Sequence, residues 1–486
     1  MAGRPWWKIR WFADSDSPEE RKLIVKLDLL IVPYVFLAYW VKYIDQSNLN
    51  NAYVSGMKED LGFYGNELVQ FQTMYTVGAV VGQLPFMLLL THVPLYWLIP
   101  AVDVLWGIFT LLQFRANSYS ELMAYRFFVG FFEAAFYPAV HYMFGCWYRK
   151  DEISRRAGIF YNGTTLGVLT AGLIQAGASA RLHNVHGLAG WRWMYIICAL
   201  ITIPVGILGV FVIPGTPAMP NRFVLKQADI DRSTSRLKAA GHSTSGKFEW
   251  KSVVQVIKNP IFWALLTTMT LFWNSGGSQG SGAYLLWLKS LNRYSTPRLN
   301  ELGTLQAVCG IFFVLATAFA SDLLVGPVWA LTGGHIFNIV GLSILLKWDV
   351  PEGAKWFAFM TNFSAAATST VVYGWVNHVM RHSPVQRAIT LIIGTAWAQS
   401  STAWVSLFTY PTVEAPRFTK GFAFGIAMST LLIIISHPLS WWIKSRETRA
   451  ADEETSFGSS TLQNDTASHS SGPDLTVNTV VVQNKS

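Results

Sequence analysis

Twelve apolar runs recur along the chain, each close to the ~20 residues a helix needs to cross a bilayer. They fall at 29–44, 69–90, 95–114, 122–144, 157–178 and 193–213. After a polar stretch come 262–288, 299–320, 325–346, 356–380, 388–408 and 421–443. The pattern predicts an all-α membrane protein with 12 transmembrane helices in two six-helix bundles. The expected divisions are a cytosolic segment 1–26, an N-terminal bundle 27–213, a cytosolic linker 214–260, a C-terminal bundle 261–446 and a tail 447–486. The tail is rich in Ser, Thr, Asn and Asp and is expected to be disordered.

Composition agrees. Of 486 residues 51% are hydrophobic and 13% charged, against about 25% charged in a soluble domain. The net charge of +9 reports basic cytosolic loops rather than nucleic-acid binding. With the amino terminus inside, cytosolic segments carry 24 Lys and Arg residues and outer loops 11. The positive-inside rule then places both termini in the cytosol. No apolar core of signal-peptide type precedes Leu27. Ser17-Pro18-Glu19-Glu20 reads as a helix start, with serine at the N-cap and proline at the first position. Three scattered cysteines, Cys146, Cys198 and Cys309, suit neither a disulfide framework nor a zinc site. No metal and no cofactor are expected.

An internal repeat supports the two halves. Arg156-Ala157, five residues, then Gly163-Thr164 recurs as Arg387-Ala388, five residues, then Gly394-Thr395, an offset of 231. Both copies open a span from a basic cytosolic loop, and repeated halves are the usual build of a secondary transporter. Small residues four apart, such as Gly78 and Gly82, allow close helix approach. The run NSGGSQGSG, 274–282, cannot hold a regular helix firmly. It reads either as a gating or binding element or as a packing bend.

Charges within spans are few, and ionisable groups there are functional by default. Arg126 and Glu133, seven residues apart in YRFFVGFFEAAFYP, share one helix face with Tyr137 beyond them. Arg126 is read as binding a substrate carboxylate and Glu133 as carrying a proton, against the alternative of a structural ion pair. Asp45 is either a second proton-coupling group or a solvated helix end. Asp103 is read as a bond between helices, His141 as a buried histidine, and Lys42 as snorkelling outward. The second half offers neutral polar groups, of which Asn274, Gln279, Asn362 and Gln399, together with Tyr137 of the first half, are the expected substrate contacts. No phosphate-binding loop, His-Glu-x-x-His or paired-cysteine motif is present, which argues against an enzyme or an ATP-driven pump.

IDQSNLNNAYVSGMKEDL, YRFFVGFFEAAFYP, WYRKDEISRRAG and the Val413-Glu414-Ala415-Pro416-Arg417 segment before Gly421 resemble the major facilitator superfamily. Within it they resemble the anion:cation symporter family and its fungal allantoate-permease branch. NNAYVSGMKEDL is the specific part, similar to the fungal pantothenate and biotin permeases. The resemblance covers about residues 22–446. It implies the major facilitator fold, alternating access, and the span-four Arg126 and Glu133 as substrate and proton groups. Two departures stand out. Many relatives have Asp-Arg where this chain has Asp45-Gln46, so a lone arginine suits a monocarboxylate. The charged loop after span two is missing from LTHVPLYW, which leaves the inner gate to Arg149, Arg155 and Asp322.

The expected function is proton-coupled uptake of a small organic monocarboxylate such as pantothenate or a related vitamin. The partners are a small-molecule organic anion, protons and the lipid bilayer, with no nucleic acid, and the carrier is expected to be a plasma-membrane monomer. Efflux of an acidic secondary metabolite, or nutrient sensing without net flux, are the alternatives.

Overall fold

A computed structural model of the chain describes residues 11–12, 16–239, 250–277, 281–380 and 384–468. Among them the structure is helical, with no strand. Helix α1, Pro18–Ala52, starts as the sequence predicts. The Ser17 hydroxyl accepts from the Glu20 backbone N–H at 3.2 Å, and the Glu20 carboxylate accepts from the Ser17 N–H at 2.7 Å. Next come α2 (Glu67–His92), α3 (Leu95–Leu112), α4 (Tyr119–Glu133), α5 (Phe136–Trp147), α6 (Lys150–Tyr161), α7 (Gly163–Arg181) and α8 (Gly190–Val212). The pairs α4–α5 and α6–α7 are single crossings with a break, so this half makes six helical runs. Helix α9 (Gln227–Ala239) lies in the linker, followed by α10 (Trp250–Lys258).

The second half also makes six runs. The first is α11 (Pro260–Ser275) with α12 (Ala283–Ser290), and the second is α13 (Thr296–Gly303) with α14 (Leu305–Phe319). Then come α15 (Pro327–Lys347), the broken run α16 (Glu352–Thr361), α17 (Phe363–Ala367) and α18 (Ser369–Val379), and α19 (Pro384–Thr409). The last is α20 (Thr419–Ser468). The segment from 434 onward forms a compact unit of its own. Its helix continues to Ser468, through good helix formers at 447–454, and the rest of the expected disordered tail, 469–486, lies outside the described residues.

Seven of the described helices are individually long and apolar enough to cross a membrane, among them Gly190–Val212 and Pro327–Lys347. Large apolar side chains such as Leu200, Ile207 and Phe211 of α8 are exposed at helical spacing, as lipid-facing residues are. The seventh run is broken where the glycine-rich stretch predicts: α11 ends at Ser275, and Gly282 precedes α12 at φ +70°. A Cβ at Gly282 would also stand 3.1 Å from the Asn50 side chain of α1.

Hydrogen bonds joining the two halves gather toward the end where α1 gives way to the 53–67 segment. Asn300 Nδ2 donates to Ser55 Oγ at 2.8 Å, Val69 N to Thr412 Oγ1 at 3.2 Å, and Val413 N to Asn66 Oδ1 at 3.1 Å. Lys289 pairs with Glu59 at 2.6 Å. A buried apolar cluster there draws Tyr53, Met57 and Phe71 from the first half and Tyr284, Trp287 and Phe359 from the second. At the opposite end the apolar clusters belong to one half each.

Candidate functional site

The site is built on the contact of α2 with α4. Glycines make that contact close: a Cβ at Gly130 would lie 2.0 Å from the Tyr75 carbonyl oxygen, and one at Gly78 2.1 Å from that of Phe127. The backbones therefore nearly touch, and Tyr75 is delivered between Arg126 and Glu133. The Arg126 guanidinium carbon sits 4.9 Å from the Tyr75 ring centre. The Tyr75 hydroxyl donates to Glu133 Oε1 at 2.7 Å. Both charged residues are buried, at 2% and 1% exposure. They share a face, as their spacing predicts, yet they do not form an ion pair with each other.

The cation on Glu133 is Lys42. Its Nζ lies 3.3 Å from Oε1, so this lysine points inward rather than snorkelling outward. Gln46, one turn along α1, donates from Nε2 to the same oxygen at 3.0 Å and also reaches the Tyr75 hydroxyl. Glu133 Oε2 and Arg126 Nε and Nη1 are buried without hydrogen-bond partners. A buried polar atom without a partner costs about 1–3 kcal/mol.

Asp45 is buried rather than solvated, at 2% exposure. Its Oδ2 accepts from Trp106 Nε1 at 3.0 Å and Thr202 Oγ1 at 3.1 Å. Asp103 accepts from the Tyr34 hydroxyl at 2.8 Å, the bond between helices expected of it. Tyr137 packs in an aromatic group, 6.2 Å from Tyr39 and 4.5 Å from His141 between ring centres.

Among the expected second-half contacts, Asn274 Nδ2 donates to Ser401 Oγ of α19 at 2.7 Å and borders a small cleft with Trp273, Thr402 and Tyr410. Gln399 accepts from Gln83 of α2 at 3.4 Å. Asn362 is buried at the α16–α17 break, against Gly341 of α15. Gln279 lies outside the described residues. Of the expected gate, Arg149 pairs with Asp16 at 2.5 Å and with Glu152 at 3.4 Å, and the side chains of Arg155 and Asp322 lie outside those described. Among the described residues every buried charged side chain precedes position 240, whereas the buried polar groups of the second half are Asn, Ser, Thr and His.

Sequence reasoning took Lys42 as snorkelling outward and Gln46 only as the lack of a second cation, and it did not single out Tyr75. A signal for Lys42 was available, since a lysine in an apolar span, one turn before an amide, is by default a functional group.

Residues 35–437 match the profile of the Major Facilitator Superfamily. The chain is 37% identical to the Vitamin H transporter of Saccharomyces cerevisiae, over 93% of this chain and 81% of that protein. It is 31% identical to a pantothenate transporter of Schizosaccharomyces pombe, over 88% and 84%. Among solved structures it is similar in fold to an inward-open xylose transporter of E. coli (TM-score 0.60, 14% identity, 82% and 95% covered). It is also similar to a bacterial homologue of the human lysosomal transporter Spinster (TM-score 0.59, 14% identity, 88% and 98% covered).

Proposed function

Since the chain belongs to the major facilitator superfamily and is thus a multi-pass membrane transporter rather than an enzyme, we propose that it carries a small organic monocarboxylate of the vitamin class into the cell together with protons. The relatives named for vitamin H and pantothenate support that class, since both vitamins present one carboxylate on a neutral polar body. The observation that carries the reading is the Arg126 guanidinium, buried with two donors unpartnered beside an equally buried carboxylic group.

In this reading the substrate carboxylate takes one of the open Arg126 donors, and Glu133 Oε2 takes the proton. A bound anion at Arg126 reduces the positive field that favours ionised Glu133, so anion and proton bind cooperatively. Moving an anion inward against the membrane potential is opposed by about 2.3 kcal/mol per charge per 100 mV. One proton cancels that, and a second lets the potential assist. The ties between the halves at the Ser55–Asn300 end fit a state closed there and opening toward the linker, which we assign to the cytosol, with the carrier in the plasma membrane. Asn274 and Gln399 are assigned to the neutral part of the substrate.

Glu133→Gln tests the coupling. It should retain counterflow of labelled biotin or pantothenate and lose uptake against a gradient. Concentrative, pH-driven uptake by this variant would remove Glu133 as the proton carrier.

A further inference from the structure

We propose that Lys42 is a positioning residue that sets the proton affinity of Glu133, leaving the Arg126 donors to the anion. The proposal rests on the transport reading above and adds the residue that tunes it. Three donors converge on Glu133 Oε1: the Tyr75 hydroxyl, the Gln46 amide and the Lys42 ammonium. Only the last is charged.

Lys42 and Gln46 are four residues apart on α1, so both approach from one side. The Lys42 side chain is 12% exposed and that of Glu133 1%, so salt screens their attraction little. Arg126 is engaged instead with the face of the Tyr75 ring, and its Nε and Nη1 have no partner. Were Arg126 the counterion of Glu133, those donors would be taken up by the carboxylate.

The other titratable groups facing Glu133 come from three helices. Tyr43 and Asp45 lie on α1, Tyr75 on α2 and Asp103 on α3. The two aspartates, when ionised, oppose ionisation of Glu133, and Lys42 is the cation in contact that counters them.

The test is infrared-detected titration of the Glu133 carboxyl in the purified full-length carrier without substrate, the band being assigned by its loss in Glu133→Gln. Lys42→Gln should raise the titration midpoint by about one pH unit or more, the usual effect of removing an adjacent opposite charge. Lys42→Arg should restore the wild-type midpoint. If Lys42→Gln does not yield folded protein, Lys42→Met serves for the same reading. In parallel, the alkaline limb of labelled biotin and pantothenate uptake should move upward in Lys42→Gln. An unmoved midpoint, or a larger shift in Arg126→Gln than in Lys42→Gln, would overturn the role given to Lys42. Wild-type uptake of both vitamins that is indifferent to pH, alongside the expected midpoints, would instead overturn the coupling reading and leave the Lys42–Glu133 link standing.

Discussion

The most direct consequence of the site geometry concerns Arg126→Gln. Two buried donors, Nε and Nη1, stand open on different edges of the guanidinium, so one carboxylate takes one of them directly, in a charge-assisted bond. A hydrogen bond to a charged group contributes about 1.5–3 kcal/mol net. The lower figure applies here, because the substrate gives up its hydration and a second cation, Lys42, lies nearby. One such bond comes to about 1.5 kcal/mol, or ~10-fold in affinity. Arg126→Lys keeps the charge but not the planar donor, so about half of that free energy, ~3-fold in affinity, is expected to be lost. The assay is initial-rate uptake of labelled biotin and pantothenate at acid external pH, in cells lacking their own carriers and normalised to surface protein. The substitution also removes the contact with the Tyr75 ring, about 0.5–2 kcal/mol, so thermal stability is measured alongside. An Arg126→Gln carrier that folds and shows KM within about three-fold of wild type would refute the assignment.

Two other substitutions probe the framework. Gly130→Ala places a methyl 2.0 Å from the Tyr75 backbone oxygen, and overpacking of this kind costs typically about 1–3 kcal/mol or more. The folded, monodisperse fraction after solubilisation should collapse, whereas Gly145→Ala, with nothing within 4 Å, should be silent. At the linker, burial acts to raise the Asp229 carboxyl. The Lys26 ammonium at 2.7 Å and the Lys226 backbone N–H outweigh it and hold the group below its usual 3.8. A depressed carboxyl stabilises the folded form above its ordinary value and loses that contribution as pH falls through the lowered one. Asp229→Asn should therefore speed hydrogen exchange in α9 at neutral pH and make no difference well below pH 3.8.

The fold was largely legible because apolar length is a strong signal and the 231-residue offset repeats it. Arg156 and Arg387 both sit near the start of a crossing, the fifth and the eleventh. The glycine-rich break in the seventh run was legible for the same local reason: its composition disfavours helix wherever it lies. The site was legible only in part. Helical spacing put Arg126 and Glu133 on one face, but periodicity on one helix cannot show which neighbour stands between them. Tyr75 is there because Gly78 and Gly130 let two backbones meet. The partner of Glu133 lies 91 positions away, at Lys42, a pairing that only the packing of α1 reveals. Asp45 reads as either a proton-coupling group or a solvated helix end, and the second alternative falls because Trp106 and Thr202 close over it.

Among the described residues the buried charges all precede position 240, which separates two kinds of evolutionary change. Under the proposed transport reading, the neutral contacts Asn274 and Gln399 can be rewritten position by position with no effect on the balance of charge. A lineage of such carriers can thus acquire new nutrients by editing one side of the molecule while inheriting its engine unaltered from the other.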